Sequence, residues 1–151
     1  MSVLDTFYAD NLYCTVSTVT QAGEPWASPL YFGFDGDHNL FIRSSRDAQH
    51  MQNMRSNPHV FVTLFDSTQV MGKAYGLYMK CDATELTDEQ EIVQALQLMN
   101  QRAGMPPSDL AKFIDGGPKR VVRLIPVSAW VNSSAATEAG FIDSREEVPL
   151  S

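Results

Sequence analysis

LFIRSSRDAQHMQNMRSNPHV, residues 40–60, joins an apolar strand to a short helix and gathers three arginines and two histidines. Leu40 to Ile42 is apolar, and the strand ends in Arg43, Ser44 and Ser45. Ala48, Met51 and Met54 recur at three-residue steps, which predicts one face of an amphipathic helix. Asn57-Pro58 stops that helix, because a residue before proline avoids the α region. Arg43, Arg46, His50 and Arg55 thus fall near two hydroxyls, where strand becomes helix. Free backbone N–H groups at a helix start, beside cations and hydroxyls, make a phosphate cradle. The same residues have a plainer reading, with Ser45 and Asp47 as helix-capping residues and the arginines as a solvated face. Local chemistry leaves both open.

Outward from this stretch the chain reads as strands joined by short turns. Val3 to Ala9 is a first short helix. Leu12 to Thr20 alternates like a half-buried strand, and Pro25 to Phe34 follows after the turn Gln21-Ala22-Gly23-Glu24. Asp35-Gly36 marks a tight turn into the strand at Leu40. Val60 to Phe65 is nearly apolar on both faces, which predicts a central strand covered on both sides. Tyr75, Leu77, Met79, Cys81 and Ala83 occupy every second position of the next strand. Thr87-Asp88-Glu89-Gln90 opens the longest helix with a capping-box pattern, and Ile92, Leu96, Met99 and Ala103 form its apolar stripe. Gly104 and Pro106-Pro107 end it. A further helix is expected over Ser108–Ile114, then strands Arg120–Ile125 and Ser128–Val131 separated by Pro126. Six or seven strands with few helices argue for a mainly β fold, an antiparallel barrel with peripheral helices. The expectation is one domain over residues 1–151, with a core at about 3–131 and a loosely held tail at 132–151.

Composition bounds the function. A net charge of −7 argues against a broad nucleic-acid or anionic-membrane surface, both of which leave a basic footprint. No run is long enough for a membrane-spanning helix, and Met1 to Asp5 lacks the basic and apolar regions of a signal peptide, so a cytoplasmic home is expected. Cys14 and Cys81 stand far apart in predicted strands and read as buried reduced thiols, and His38, His50 and His59 lack metal-ligand spacing, so no metal site is expected. Gly23, Gly36 and Gly72 stand alone, without a dinucleotide fingerprint or P-loop.

Several anchors in order resemble the pyridoxamine 5′-phosphate oxidase-like family of FMN-binding split barrels. They are Trp26-Ala27-Ser28-Pro29-Leu30-Tyr31, the strand ending in Arg43-Ser44-Ser45, and Asn57-Pro58-His59-Val60. Gln69-Val70-Met71, Ala83 to Leu86, Arg123-Leu124-Ile125-Pro126 and Trp130 add to them. The resemblance implies a homodimer with FMN in two interface grooves. It would set Ser28, Pro29 and Leu30 along the flavin ring, and Arg43, Ser44 and Ser45 by the ribityl-phosphate. His50 stands where many members carry a phosphate-pairing lysine, Gln69 matches a glutamine near the ring, and Trp130 would pack by the interface. Gln49 stands where the oxidase carries an arginine, and the oxidase's C-terminal substrate segment has no counterpart, which argues against pyridoxamine phosphate oxidation itself.

No nucleophile–base–orienter set or carboxylate pair is legible, so redox chemistry would belong to the cofactor. The first expectation is an FMN-dependent oxidoreductase passing hydride through flavin N5 to a small substrate. A non-catalytic flavin- or haem-binding protein is the second, and a deazaflavin-dependent reductase in the same groove the third.

Overall fold

A computed structural model describes residues 1–72, 75–132, 136–137, 140–141 and 144–151. The strands are β1 (Tyr13–Val19), β2 (Pro25–Tyr31), β3 (Gly33–Phe34), β4 (Leu40–Ser45), β5 (His59–Phe65), β6 (Gly76–Glu85), β7 (Lys119–Asn132), β8 (Ala136–Thr137), β9 (Gly140–Phe141) and β10 (Arg145–Val148). The helices are α1 (Val3–Asp10), α2 (Gln49–Ser56) and α3 (Glu89–Ala103), with a 3₁₀ turn at Leu110–Lys112. The main sheet has the order β2-β1-β5-β6-β7-β4-β3, with β10 also paired to β7, and every ladder is antiparallel. The sheet curls until β2 approaches β4, yet no ladder joins those two strands. The fold is an antiparallel split barrel, and the seam between β2 and β4 is the split.

Alternation builds the core. Cys14 and Val16 on β1, Val60, Val62 and Leu64 on β5, and Leu77, Met79 and Cys81 on β6 all point inward and are buried. Each large apolar side chain so buried stabilises the fold by roughly 1.5–3 kcal/mol. Burial pushes the Cys14 thiol up to about 12 and raises Cys81 as well, so both stay neutral and free. Tyr8 from α1 caps one end of the core, with its hydroxyl donating to the His38 carbonyl at 3.1 Å.

Several expectations change here. The expected strand Pro25–Phe34 breaks at Phe32, where the chain turns its buried ring inward and β3 begins. Gly33 is what lets β3 lie against α3, since a Cβ there would stand 2.9 Å from Met99 Cγ and 3.0 Å from Met99 N. The two strands expected on either side of Pro126 are one, β7, because Pro126 sits where the β6–β7 register shifts and a missing N–H costs no ladder bond. The helix expected over Ser108–Ile114 shrinks to the Leu110–Lys112 turn, capped by Asp109. In α3 the cap is Asp88, and Ala95 and Asn100 share the buried face with Ile92, Leu96 and Met99, whereas Ala103 is exposed. The C-terminal stretch, expected to be loosely held, contains β10, and Val148 and Leu150 pack against the core. β5 is central in the ladder but fully buried on one face only among the described residues, because Phe61, Thr63 and Phe65 point away from the core and stay partly or largely exposed.

Candidate functional site at the barrel seam

Neighbouring residues on a strand point to opposite faces, and that rule divides the Arg43-Ser44 pair. Ser44 Oγ meets His50 Nε2 at 2.8 Å, and His50 Nδ1 meets Ser28 Oγ at 3.3 Å. Ser28 belongs to β2, Ser44 to β4 and His50 to α2, so one imidazole bridges the seam that no backbone ladder closes. Only 8% of His50 is exposed, and burial lowers its pKa below the ordinary histidine value. A neutral imidazole has one donor and one acceptor nitrogen, so one serine receives a proton contact and the other gives one.

The helix start beside this bridge is open. The N-cap of α2 is Ala48, with no side-chain cap, so neither Ser45 nor Asp47 caps it. Met51 N–H turns back to the Ala48 carbonyl at 3.0 Å, while the Gln49 and His50 N–H groups have no acceptor among the described residues and keep their capacity for an anion. α2 is held in place from behind: Asn53, 2% exposed, donates to Thr18 Oγ1 at 2.9 Å and accepts from Gln49 Nε2 at 2.8 Å. Met51 and Met54 bury the expected apolar face.

The cations of the stretch do not converge there. Arg55 forks onto Glu85 at 2.9 and 3.0 Å, which raises the Arg55 pKa and holds the Glu85 carboxyl below its ordinary value. Arg46 lies 3.6 Å from Asp47 and donates to the Gly116 carbonyl at 3.3 Å. Arg43 turns to the opposite face of β4, where Nη1 donates to Asn100 Oδ1 at 2.9 Å and Ser108 Oγ at 3.1 Å. Gln69 lies in the exposed β5–β6 connection and donates to Asp66 Oδ2 at 3.1 Å, away from the serine–histidine bridge. Ser45 is the exposed end of β4 and Pro29 an exposed residue of β2, while Leu30 packs partly against the core. The structure thus brings together Ser28, Ser44 and His50, and it leaves Arg43 and Gln69 outside that cluster. Sequence reading missed Asn53 and Asn100; each was detectable as an amide on an otherwise apolar helix face.

Away from the seam, a concavity of about 450 Å³ lies across β1, β5 and β6, with apolar walls including Val19, Phe61 and Val127. His59 lines it, with Nδ1 donating to Asp82 Oδ1 at 2.8 Å and Nε2 without a partner among the described residues.

A family profile described as pyridoxamine 5′-phosphate oxidase matches residues 2–132. The chain belongs to the pyridoxamine 5′-phosphate oxidase family. No curated protein matches the sequence. Among solved structures, HutZ from Vibrio cholerae, a haem storage protein, is 22% identical with a TM-score of 0.69, over 82% of this chain and 87% of that one. A haem-binding protein from Mycobacterium smegmatis is 17% identical with a TM-score of 0.71, over 97% of this chain but 56% of its own. An F420 reductase is 21% identical with a TM-score of 0.58, over 78% of this chain and 88% of that one. At these identities the structural likeness concerns the fold. Among the described residues no helix is long and apolar enough to cross a membrane.

Proposed function

We propose that this member of the pyridoxamine 5′-phosphate oxidase family is a cytoplasmic, homodimeric, FMN-dependent oxidoreductase acting on a small molecule. The observation that carries the reading is the uncapped start of α2 set against Ser44, His50 and Ser28 at the barrel seam. The open N–H groups of Gln49 and His50, with the serine hydroxyl proton that the imidazole leaves free, are a donor set a phosphate takes up. Exposed Pro29 and edge-strand β2 offer a flat surface for a ring beside it. FMN, when bound, supplies hydride transfer at N5. Ser44 and Ser28 would bind the phosphate, His50 would hold a proton between them, and Asn53 would fix the helix that presents them. Arg43 and Gln69 have no part in this donor set; their contacts lie elsewhere. The outward face of β5, only partly covered by the described residues, is the surface a second copy would cover.

A second reading, a haem-binding protein, is favoured by one geometric observation. His59, oriented by Asp82 and with Nε2 unengaged among the described residues, lines an apolar groove. A carboxylate-oriented histidine is a metal-ligand arrangement. Titration of the apoprotein with FMN and, separately, with haemin separates the readings. FMN is expected to give a one-to-one complex with quenched flavin fluorescence and a structured visible band. A haemin Soret shift lost in His59→Ala, with no response to FMN, would replace the first reading by the second. A co-purified cofactor with the mass of a deazaflavin would also overturn it.

A further inference from the structure

On the face of β4 opposite His50, Arg43 carries a charge that no carboxylate answers among the described residues. Its Nη1 contacts are both neutral: Asn100 Oδ1 at 2.9 Å and Ser108 Oγ at 3.1 Å. Asn100, itself 5% exposed, donates a second hydrogen bond to Ser108 Oγ at 2.9 Å. The Ser108 oxygen therefore accepts from two donors, one of them a guanidinium. Both lone pairs are engaged, and its own proton has no acceptor among the described residues. A hydroxyl polarised in this way is a strong donor awaiting an acceptor.

Ser108 lines a cleft of about 420 Å³ between α3 and the Met105–Leu110 segment. That volume lies within the range of small-molecule sites, which pair apolar walls with a few fixed polar groups. Val93, Leu96, Met105 and Leu110 make the apolar walls, and Gln97 adds an amide to the lining. The neighbouring carboxylate, Asp109, is already engaged, because it caps the 3₁₀ turn by accepting from the Ala111 N–H at 3.1 Å.

We propose that this cleft binds a small apolar monocarboxylate, whose carboxylate accepts the Ser108 Oγ proton while its tail lies along Leu96 and Met105. Arg43 is the positioning residue: it supplies the positive field and, through Asn100, holds the serine oxygen as acceptor so that the proton faces the cleft. The site is separate from the flavin reading and does not depend on it, since Ser44 and Arg43 leave β4 on opposite faces.

The test is an NMR titration of the full chain labelled with ¹³C at its methionine methyls, with octanoate as the probe and 1-octanol as its uncharged counterpart. The Met105 methyl is expected to shift saturably with octanoate, while Met51, on the buried face of α2, stays still. Octanol is expected to bind at least tenfold more weakly, and Ser108→Ala and Arg43→Gln each to weaken octanoate by at least tenfold. Absence of saturation at about 10 mM octanoate, where even a weak site would fill, overturns the proposal. Equal binding of octanol and octanoate, or unchanged octanoate binding in Ser108→Ala, overturns it too. Should either variant lose the native methionine spectrum, the octanoate–octanol comparison in the unaltered chain decides alone.

Discussion

In the proposed FMN reading, His50 is the residue on which cofactor retention turns. A lysine at that place is charged throughout the neutral range, whereas this imidazole is buried and its pKa is lowered by desolvation. Burial makes the folded protein bind a proton there less readily than the unfolded chain does. The stability it contributes is therefore fully present above the ordinary histidine value of 6.5 and is lost as pH falls through the lowered folded value. A phosphate dianion works in the opposite sense, since it favours the imidazolium. FMN affinity is thus expected to rise as pH falls from 8 towards about 6, below which the phosphate itself takes a proton. His50→Lys is expected to tighten FMN by about tenfold or more at pH 7.5, since hydrogen bonds to charged groups contribute about 1.5–3 kcal/mol, and to flatten the pH profile. Fluorescence titrations of the two proteins across that range check both statements. A wild-type protein that binds FMN independently of pH would remove His50 from the site.

Element by element, the chain was most legible where a single period ruled. β1 and β6 announce themselves by alternation, and Gly104, at φ +64, stops α3 where the sequence puts its end. Junctions were less legible because tertiary contacts decide them. Ser45 looks like a cap, yet pairs with Lys119 in the sheet, and the helix begins after Ala48. Arg43 looks like a phosphate ligand by proximity, yet strand alternation sends it to Asn100, which is 57 residues away in sequence. Only the ladder with β7 and the packing of α3 determine which face is which. The break after Tyr31 was likewise hidden, since nothing in Phe32-Gly33-Phe34 shows that Met99 will lie against the backbone. Gly33→Ala tests that contact. With backbone atoms of Met99 in the way, the substitution is expected to destabilise the protein by about 1–3 kcal/mol, read as a lower midpoint in urea at unchanged slope.

For the whole molecule, the outward face of the sheet is what remains unexplained by a single protomer. Tyr13 and Phe65 are more than half exposed, and Phe61 and Tyr78 are partly so, with Arg145 stacked 3.8 Å over the Tyr78 ring. Apolar periodicity on both sides of β5 implied cover on both sides, and the described residues fully bury only one. The second cover is expected to be another copy of this chain, so light scattering after size exclusion should give twice the chain mass. Phe61→Asp, which sets a carboxylate on that face, is expected to halve it, with the thermal midpoint measured alongside to show that the protomer still folds. A wild-type monomer would leave the face without an occupant.

The account rests most heavily on the proposed anion site at the start of α2, and comparing FMN with riboflavin isolates it, because the two differ only in the phosphate. Dissociation constants of the apoprotein for each, with and without Ser44→Ala, are the direct measurement. The prediction is that FMN binds at least tenfold tighter than riboflavin and that Ser44→Ala removes most of that difference while leaving riboflavin unchanged. Equal affinity for the two flavins in the wild-type protein would contradict it.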